Sequence, residues 1–121
     1  MVNAFEVNEE RIEKLKFDAN GLIPAVAQDV KSGNVVMLAY MNKESLTETI
    51  KTGYATYFSR SRQQLWKKGE TSGNVQRVRE ILYDCDGDAL LLKIDQTGVA
   101  CHTGEYSCFH SSLTGKDESA P

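Results

Sequence analysis

Two apolar-rich runs dominate the first third of the chain, Ile23 to Asp29 and Val35 to Met41. Between them stands Lys31-Ser32-Gly33-Asn34, a polar turn with glycine, so the pair predicts a β-hairpin. Ahead of it, Val7, Ile12 and Leu15 share one face of a short amphipathic helix. After it, Asn42 has the side chain of a helix N-cap, Leu46 and Ile50 fall on one face, and Gly53 is the stop. From Tyr54 to Arg60, aromatic residues and Thr56 alternate with smaller ones, which predicts a strand. Val75, Val78, Ile81 and Leu82 have helical spacing, yet the β-branched content of 75–83 and the strand that follows favour a bent or bulged strand. Ala89 to Asp95 carries Leu90-Leu91-Leu92, apolar on both faces, and predicts a buried strand closed by Thr97-Gly98. These strands leave little room for crossover helices. The pattern predicts an α+β domain, mainly antiparallel sheet with one or two short helices.

With 121 residues, 40% hydrophobic and 26% charged, the chain is sized for one domain. That domain is expected over 1–113, followed by a polar tail at 114–121 expected to be disordered. No run has the length of a signal peptide's apolar core or of a membrane span, so a cytoplasmic protein with no membrane partner is expected. The net charge of −3 hides an asymmetry. Arg60, Arg62, Lys67, Lys68, Arg77 and Arg79 are opposed only by Glu70 over 60–79. Most such runs are solvated faces. This one is interleaved with Ser59, Ser61, Gly69, Thr71, Ser72 and Gly73, which offer hydroxyls and close backbone amides to an anion. A phosphorylated small molecule fits. A long nucleic acid does not, because the rest of the chain is acidic.

The three cysteines carry the chemistry. Cys85 sits in Asp84-Cys85-Asp86-Gly87-Asp88, Cys101 in Cys101-His102-Thr103-Gly104, and Cys108 in Ser107-Cys108-Phe109-His110. Thiolates suit zinc, whereas clustered carboxylates suit magnesium or calcium. On an extended segment, period two would put Asp84, Asp86 and Asp88 on one face and Cys85 on the other. The calcium-binding helix-loop-helix also begins Asp-x-Asp-x-Asp, but its sixth position needs glycine and here is Ala89. A purely structural acidic turn is the plain alternative. No Cys-x-x-Cys pair occurs, and three thiolates leave one tetrahedral position open, as in catalytic zinc sites. His102 or His110 could close that position. Zinc lowers the pKa of a bound water to near neutral, which would supply hydroxide for an electrophilic carbon. Cysteines acting as small hydrophobes would account for any one of the three, but not for all three among Asp, His, Thr and Ser. The two histidines are candidate general acid–base groups. Trp66 could stack on a purine or serve the core, and Glu70 could be an ion-pair partner or a functional acid.

Taken together, Ser59-Arg60-Ser61-Arg62, the stretch Leu65-Trp66-Lys67-Lys68-Gly69-Glu70-Thr71-Ser72-Gly73-Asn74, and the three cysteine motifs resemble the phosphoribosyl-AMP cyclohydrolases of histidine biosynthesis, from about Gly21 to Phe109. The resemblance implies an interlocked homodimer with active sites at the subunit interface. It implies zinc held by Cys101 and Cys108 of one subunit with Cys85 of the other, and magnesium at Asp84, Asp86 and Asp88. It places Ser59, Arg60, Arg62, Trp66, Lys68, Glu70, Thr71, Ser72 and Gly73 at the substrate. The implied substrate is an adenine nucleotide whose N1 carries a second phosphoribosyl group, opened by hydrolysis of the N1–C6 bond. Two rivals remain: a non-catalytic zinc module that staples a dimer, and a zinc-dependent purine nucleotide deaminase.

Overall fold

The computed structural model describes residue 4 and residues 6–115. Its elements are α1 (Glu9–Glu13), β1 (Ile23–Asp29), β2 (Val35–Met41), α2 (Lys43–Thr52), β3 (Thr56–Ser59), β4 (Gln64–Lys67), β5 (Gln76–Tyr83) and β6 (Leu90–Gln96). The expected disordered tail lies, from residue 116 onward, outside the described residues. No helix is long and apolar enough to cross a membrane among the described residues.

Local chemistry explains most boundaries. The Asn42 side chain accepts the Ser45 N–H at 2.8 Å, and the Ser45 hydroxyl accepts the Asn42 N–H at 2.9 Å, a reciprocal capping box that starts α2. Gly53 ends the helix in the left-handed region at φ 82°, where a side chain would be strained. In α1, the Asn8 side chain takes the N–H groups of Glu10 and Arg11. The helix is little more than one turn long and holds only Ile12 of the three expected apolar positions; Val7 precedes it, Leu15 follows it, and all three pack against the core.

The four-stranded sheet has the order β2-β1-β6-β5, and β3 pairs with β4 in a separate hairpin. The sheet is mainly antiparallel as expected, but its central pair, β1 with β6, is parallel. Sixty residues separate those strands (30–89), and they carry α2, the β3–β4 hairpin and β5. That is ample for the crossover a parallel pair needs. Pairing β6 into the centre buries Leu90 and Leu92 against Ala25 and Ala27. The bulged strand is borne out: the β5–β6 register shifts between Val78 and Glu80.

The core lies on one face of the sheet, where Ile23, Met41, Leu92 and Ile94 meet Leu46 and Ile50 of α2 and Tyr57 of β3. A buried polar chain fixes the hairpin to the sheet. The Tyr57 hydroxyl donates to Gln76 at 2.5 Å, and the Gln76 amide donates to Gln96 at 2.9 Å. Strand β4 was not expected. All four of its residues are exposed, so it has no buried–exposed alternation to signal a strand.

Candidate active site and metal ligands

Beyond β6 the chain folds back on itself and brings two thiols together. The Ala100 N–H donates to Tyr106 O at 2.9 Å, and the Cys101 N–H to Glu105 O at 3.1 Å. The returning segment is tied to the β1–β2 hairpin. Tyr106 donates its hydroxyl proton to the Asp29 carboxylate, and its oxygen lies 2.7 Å from the Ser32 hydroxyl. The Ser107 hydroxyl donates to Val35 O at 3.0 Å and the Cys108 N–H to Val36 O at 2.7 Å. Cys108 is thereby held beside Cys101. The Cys101 sulfur lies 3.0 Å from the Thr103 hydroxyl and 3.9 Å from His110 Nε2.

These contacts set the thiol acidities. The Thr103 hydroxyl is the main cause, with its backbone N–H next, that brings Cys101 down to about 6; burial opposes them, and His110 and Cys108 assist. Cys101 is therefore a thiolate at neutral pH. Burial pushes the Cys108 thiol up, and the negative charge of Cys101 adds to that. Lys68 lies against this pair with its ammonium on Ala100 O at 2.5 Å. Burial brings the Lys68 ammonium below its ordinary pKa, while the charges of Cys108 and Cys101 partly pull it back up.

In front of the thiols is an open groove of about 940 Å³, walled by the β3–β4 hairpin and the loop that follows it. Ser59, Arg62, Trp66 and Lys68 line it from the hairpin side, Glu70, Thr71 and Ser72 from the loop, and Cys101 and His102 from its end. Trp66 packs on the hairpin with part of its ring left open. Its ring packs against Tyr57 with centroids 5.7 Å apart, yet 39% of its surface remains open. The basic run does not converge as a whole. The Arg60 guanidinium stands 4.0 Å over the Tyr40 ring, and Arg79 pairs with Asp95 on the sheet. Neither Arg60 nor Gly73 lines the groove. The basic residues that do are Arg62, Lys67 and Lys68.

Asp84, Asp86 and Asp88 do converge, but not on an extended segment. They occupy the tight turn between β5 and β6, where the chain reverses and gathers their carboxylates within 4.8 Å. Asp84 accepts the Asp88 N–H at 3.0 Å. Loss of water works to raise the Asp84 carboxyl, but the hydrogen bonds from Asp88, Ala89 and Gly87 hold it below its ordinary range. Asp88 is pushed up, first by its hydrogen bond with the Asp84 side chain and then by the charge of Asp84. Gathering like charges in one turn is unfavourable, and the raised Asp88 carboxyl reflects that repulsion. Cys85 is exposed in the same turn, at the start of β6, whereas Cys101 follows its end. Seven strand residues span about 20 Å. Among the described residues the three carboxylates are gathered closely enough to hold an ion, and the three thiols are not.

Residues 37–110 match the family model for phosphoribosyl-AMP cyclohydrolase. A phosphoribosyl-AMP cyclohydrolase of Archaeoglobus fulgidus is 62% identical over 104 residues, covering 86% of this chain and 96% of that protein. One from Chlorobium chlorochromatii is 54% identical over 114 residues, covering 94% and 83%, and one from Methanococcoides burtonii is 60% identical over 104, covering 86% of each. The chain belongs to the phosphoribosyl-AMP cyclohydrolase family.

In this member of the cyclohydrolase family, Cys101, His102 and most of the hydroxyl- and base-rich stretch line one groove, His110 and Cys108 adjoin Cys101 outside that lining, and the aspartate turn stands apart. Sequence reasoning missed the supports: Asp29, Thr103, Tyr106 and the buried placement of Lys68. Thr103 was within reach, standing two residues from Cys101. Asp29 and Tyr106 are 77 positions apart, so no local pattern could have paired them.

Proposed function

We propose that this chain is a phosphoribosyl-AMP cyclohydrolase, a cytoplasmic homodimer that hydrolyses the N1–C6 bond of 1-(5-phosphoribosyl)-AMP in histidine biosynthesis. One observation carries the reading: a groove with an open indole face, basic side chains and hydroxyls ends at Cys101 and His102. In that groove Trp66 offers a stacking face to the adenine. Arg62, Lys67, Ser59, Thr71 and Ser72 offer charge and hydrogen bonds to phosphate oxygens.

The donor sets suit two metals. Cys101 and Cys108 with the partner subunit's Cys85 would hold zinc, and Asp84, Asp86 and Asp88 would hold magnesium. The lowered thiol of Cys101 suits the first, and three exposed carboxylates gathered within 4.8 Å suit the second. A zinc ion supplies hydroxide at neutral pH by lowering the pKa of water. The N1 substituent makes C6 electron-poor. Hydroxide adds there, the N1–C6 bond breaks, and N1 takes up a proton as the ring opens. His102, which lines the groove, would move that proton, while His110 lies 3.9 Å from Cys101.

The test is a spectroscopic turnover assay with phosphoribosyl-AMP, run with and without a zinc chelator. Ring opening without ammonia release, lost on chelation and restored by zinc, is expected. Ammonia release would identify a deaminase instead, and no turnover by folded, zinc-loaded protein would leave a binding module.

A further inference from the structure

We propose that Lys68 is a positioning residue for the thiol site rather than a contact to substrate phosphate: it anchors the loop that carries Cys101 and supplies the positive charge that the clustered thiolates require. The inference rests on the proposed zinc site. Lys68 follows β4 and lies in the basic stretch, where a lysine would ordinarily be a solvated anion contact. Its geometry is different. Only 8% of its surface is exposed, and its ammonium donates to Ala100 O at 2.5 Å. Ala100 is itself buried and immediately precedes Cys101, so this bond fixes the backbone from which the ligand side chain departs. On another side, the ammonium lies 5.5 Å from the Trp66 ring centroid. The carbonyl takes one of the three ammonium donors, and the side chain is committed to the Cys101 loop.

The charge argument agrees. A buried ammonium needs an anionic partner, because removal from water penalises an isolated charge. The ion pairs among the described residues are Lys51 with Glu48 and Arg79 with Asp95, so no described carboxylate pairs with Lys68. The neighbouring groups able to carry negative charge are the thiols of Cys101 and Cys108, the latter once a bound metal displaces its proton. Three thiolates around one dication leave a single negative charge, and Lys68 seats one positive charge beside it. Supporting groups of this kind hold first-shell ligands in place, and their loss typically lowers metal affinity or activity about 10–100-fold.

The test uses the full chain with Lys68→Met and Lys68→Arg, with zinc affinity measured by competition against a chelator and melting measured on the metal-free proteins. Lys68→Met is expected to weaken zinc binding about 10–100-fold, and Lys68→Arg, which keeps the charge, to recover most of it. KM of the zinc-saturated variants should stay near that of the parent. Unchanged zinc affinity with a raised KM would overturn the proposal and make Lys68 a phosphate contact. A lowered metal-free melting temperature with unchanged zinc affinity would also overturn it, as a purely structural role. Should Lys68→Met fail to fold, Lys68→Gln keeps an N–H donor without the charge, and the same affinity comparison decides. If the parent protein binds no zinc, the zinc reading itself fails; if the parent binds zinc and Lys68→Met binds it equally well, only the role of Lys68 falls.

Discussion

Asp29 is a carboxylate with 2% of its surface exposed at the end of β1, and it is tolerated there because Tyr106 donates to it from the cysteine loop. Burial works to raise the Asp29 carboxyl, but Tyr106 and Lys31 outweigh it and hold it below 3.8. Burial and the Asp29 bond push the Tyr106 phenol above 10.0. A depressed acid contributes stability above its unfolded value and loses it as pH falls through the folded one. A raised phenol contributes below its unfolded value and loses it as pH rises. Tyr106→Phe should therefore cost about 1 kcal/mol near neutral pH. The deficit should shrink below about pH 4 and above about pH 10 in urea titrations of both proteins. Cys101→Ala acts on chemistry instead of stability. Metal analysis and turnover together should show zinc and activity lost with the fold retained; retained activity would sink the assignment of Cys101 as a ligand.

At the scale of elements, the loop after β4 shapes the groove, and one glycine decides whether it can close. Gly69 has φ 78°, and a Cβ there would stand 2.3 Å from the Asn74 carbonyl carbon. Backbone cannot yield as a side-chain tip can. Gly33 has nearly the same φ, 79°, but would meet nothing within 4 Å. Gly33→Ala should cost about 1 kcal/mol of left-handed strain. Gly69→Ala should cost clearly more and should raise KM, because Glu70, Thr71 and Ser72 move with it. Equal melting temperatures for the two variants would overturn this account. The hairpin that forms the opposite wall shows why elements are only partly legible. Strand β3 announces itself by burying Thr56 and Tyr57, whereas β4 exposes every residue and exists because β3 offers it a ladder from Thr56–Lys67 to Ser59–Gln64.

At the scale of the whole molecule, the decisive separation is that of Cys85 from Cys101 and Cys108 along β6. If each zinc site takes its third thiolate from a second subunit, two inactive proteins should complement. Mixing Cys85→Ala with Cys101→Ala under conditions of subunit exchange gives mixed dimers with one intact site. Random assortment then predicts recovery of roughly a quarter of the parent activity. No recovery, with exchange verified by mass, would place all the ligands in one subunit.

The candidate residues for the proposed chemistry were readable in order along the chain, because metal and anion binding would demand particular side-chain types: thiolates, clustered carboxylates, and hydroxyls among basic groups. The capped helix α2, the β1–β2 hairpin and the bulged β5 were readable as well, since caps, turns and burial periodicity are local. Local signals could not determine that β1 and β6 pair in parallel, that the aspartates meet in a turn, or that Arg60 and Arg79 leave the anion-binding set for Tyr40 and Asp95. Nor could they show Lys68 turning inward to Ala100, 32 positions away. The sequence determined which chemistry this protein can hold. Only the tertiary structure decided which of those groups meet, because each meeting depends on long-range burial that no local pattern encodes.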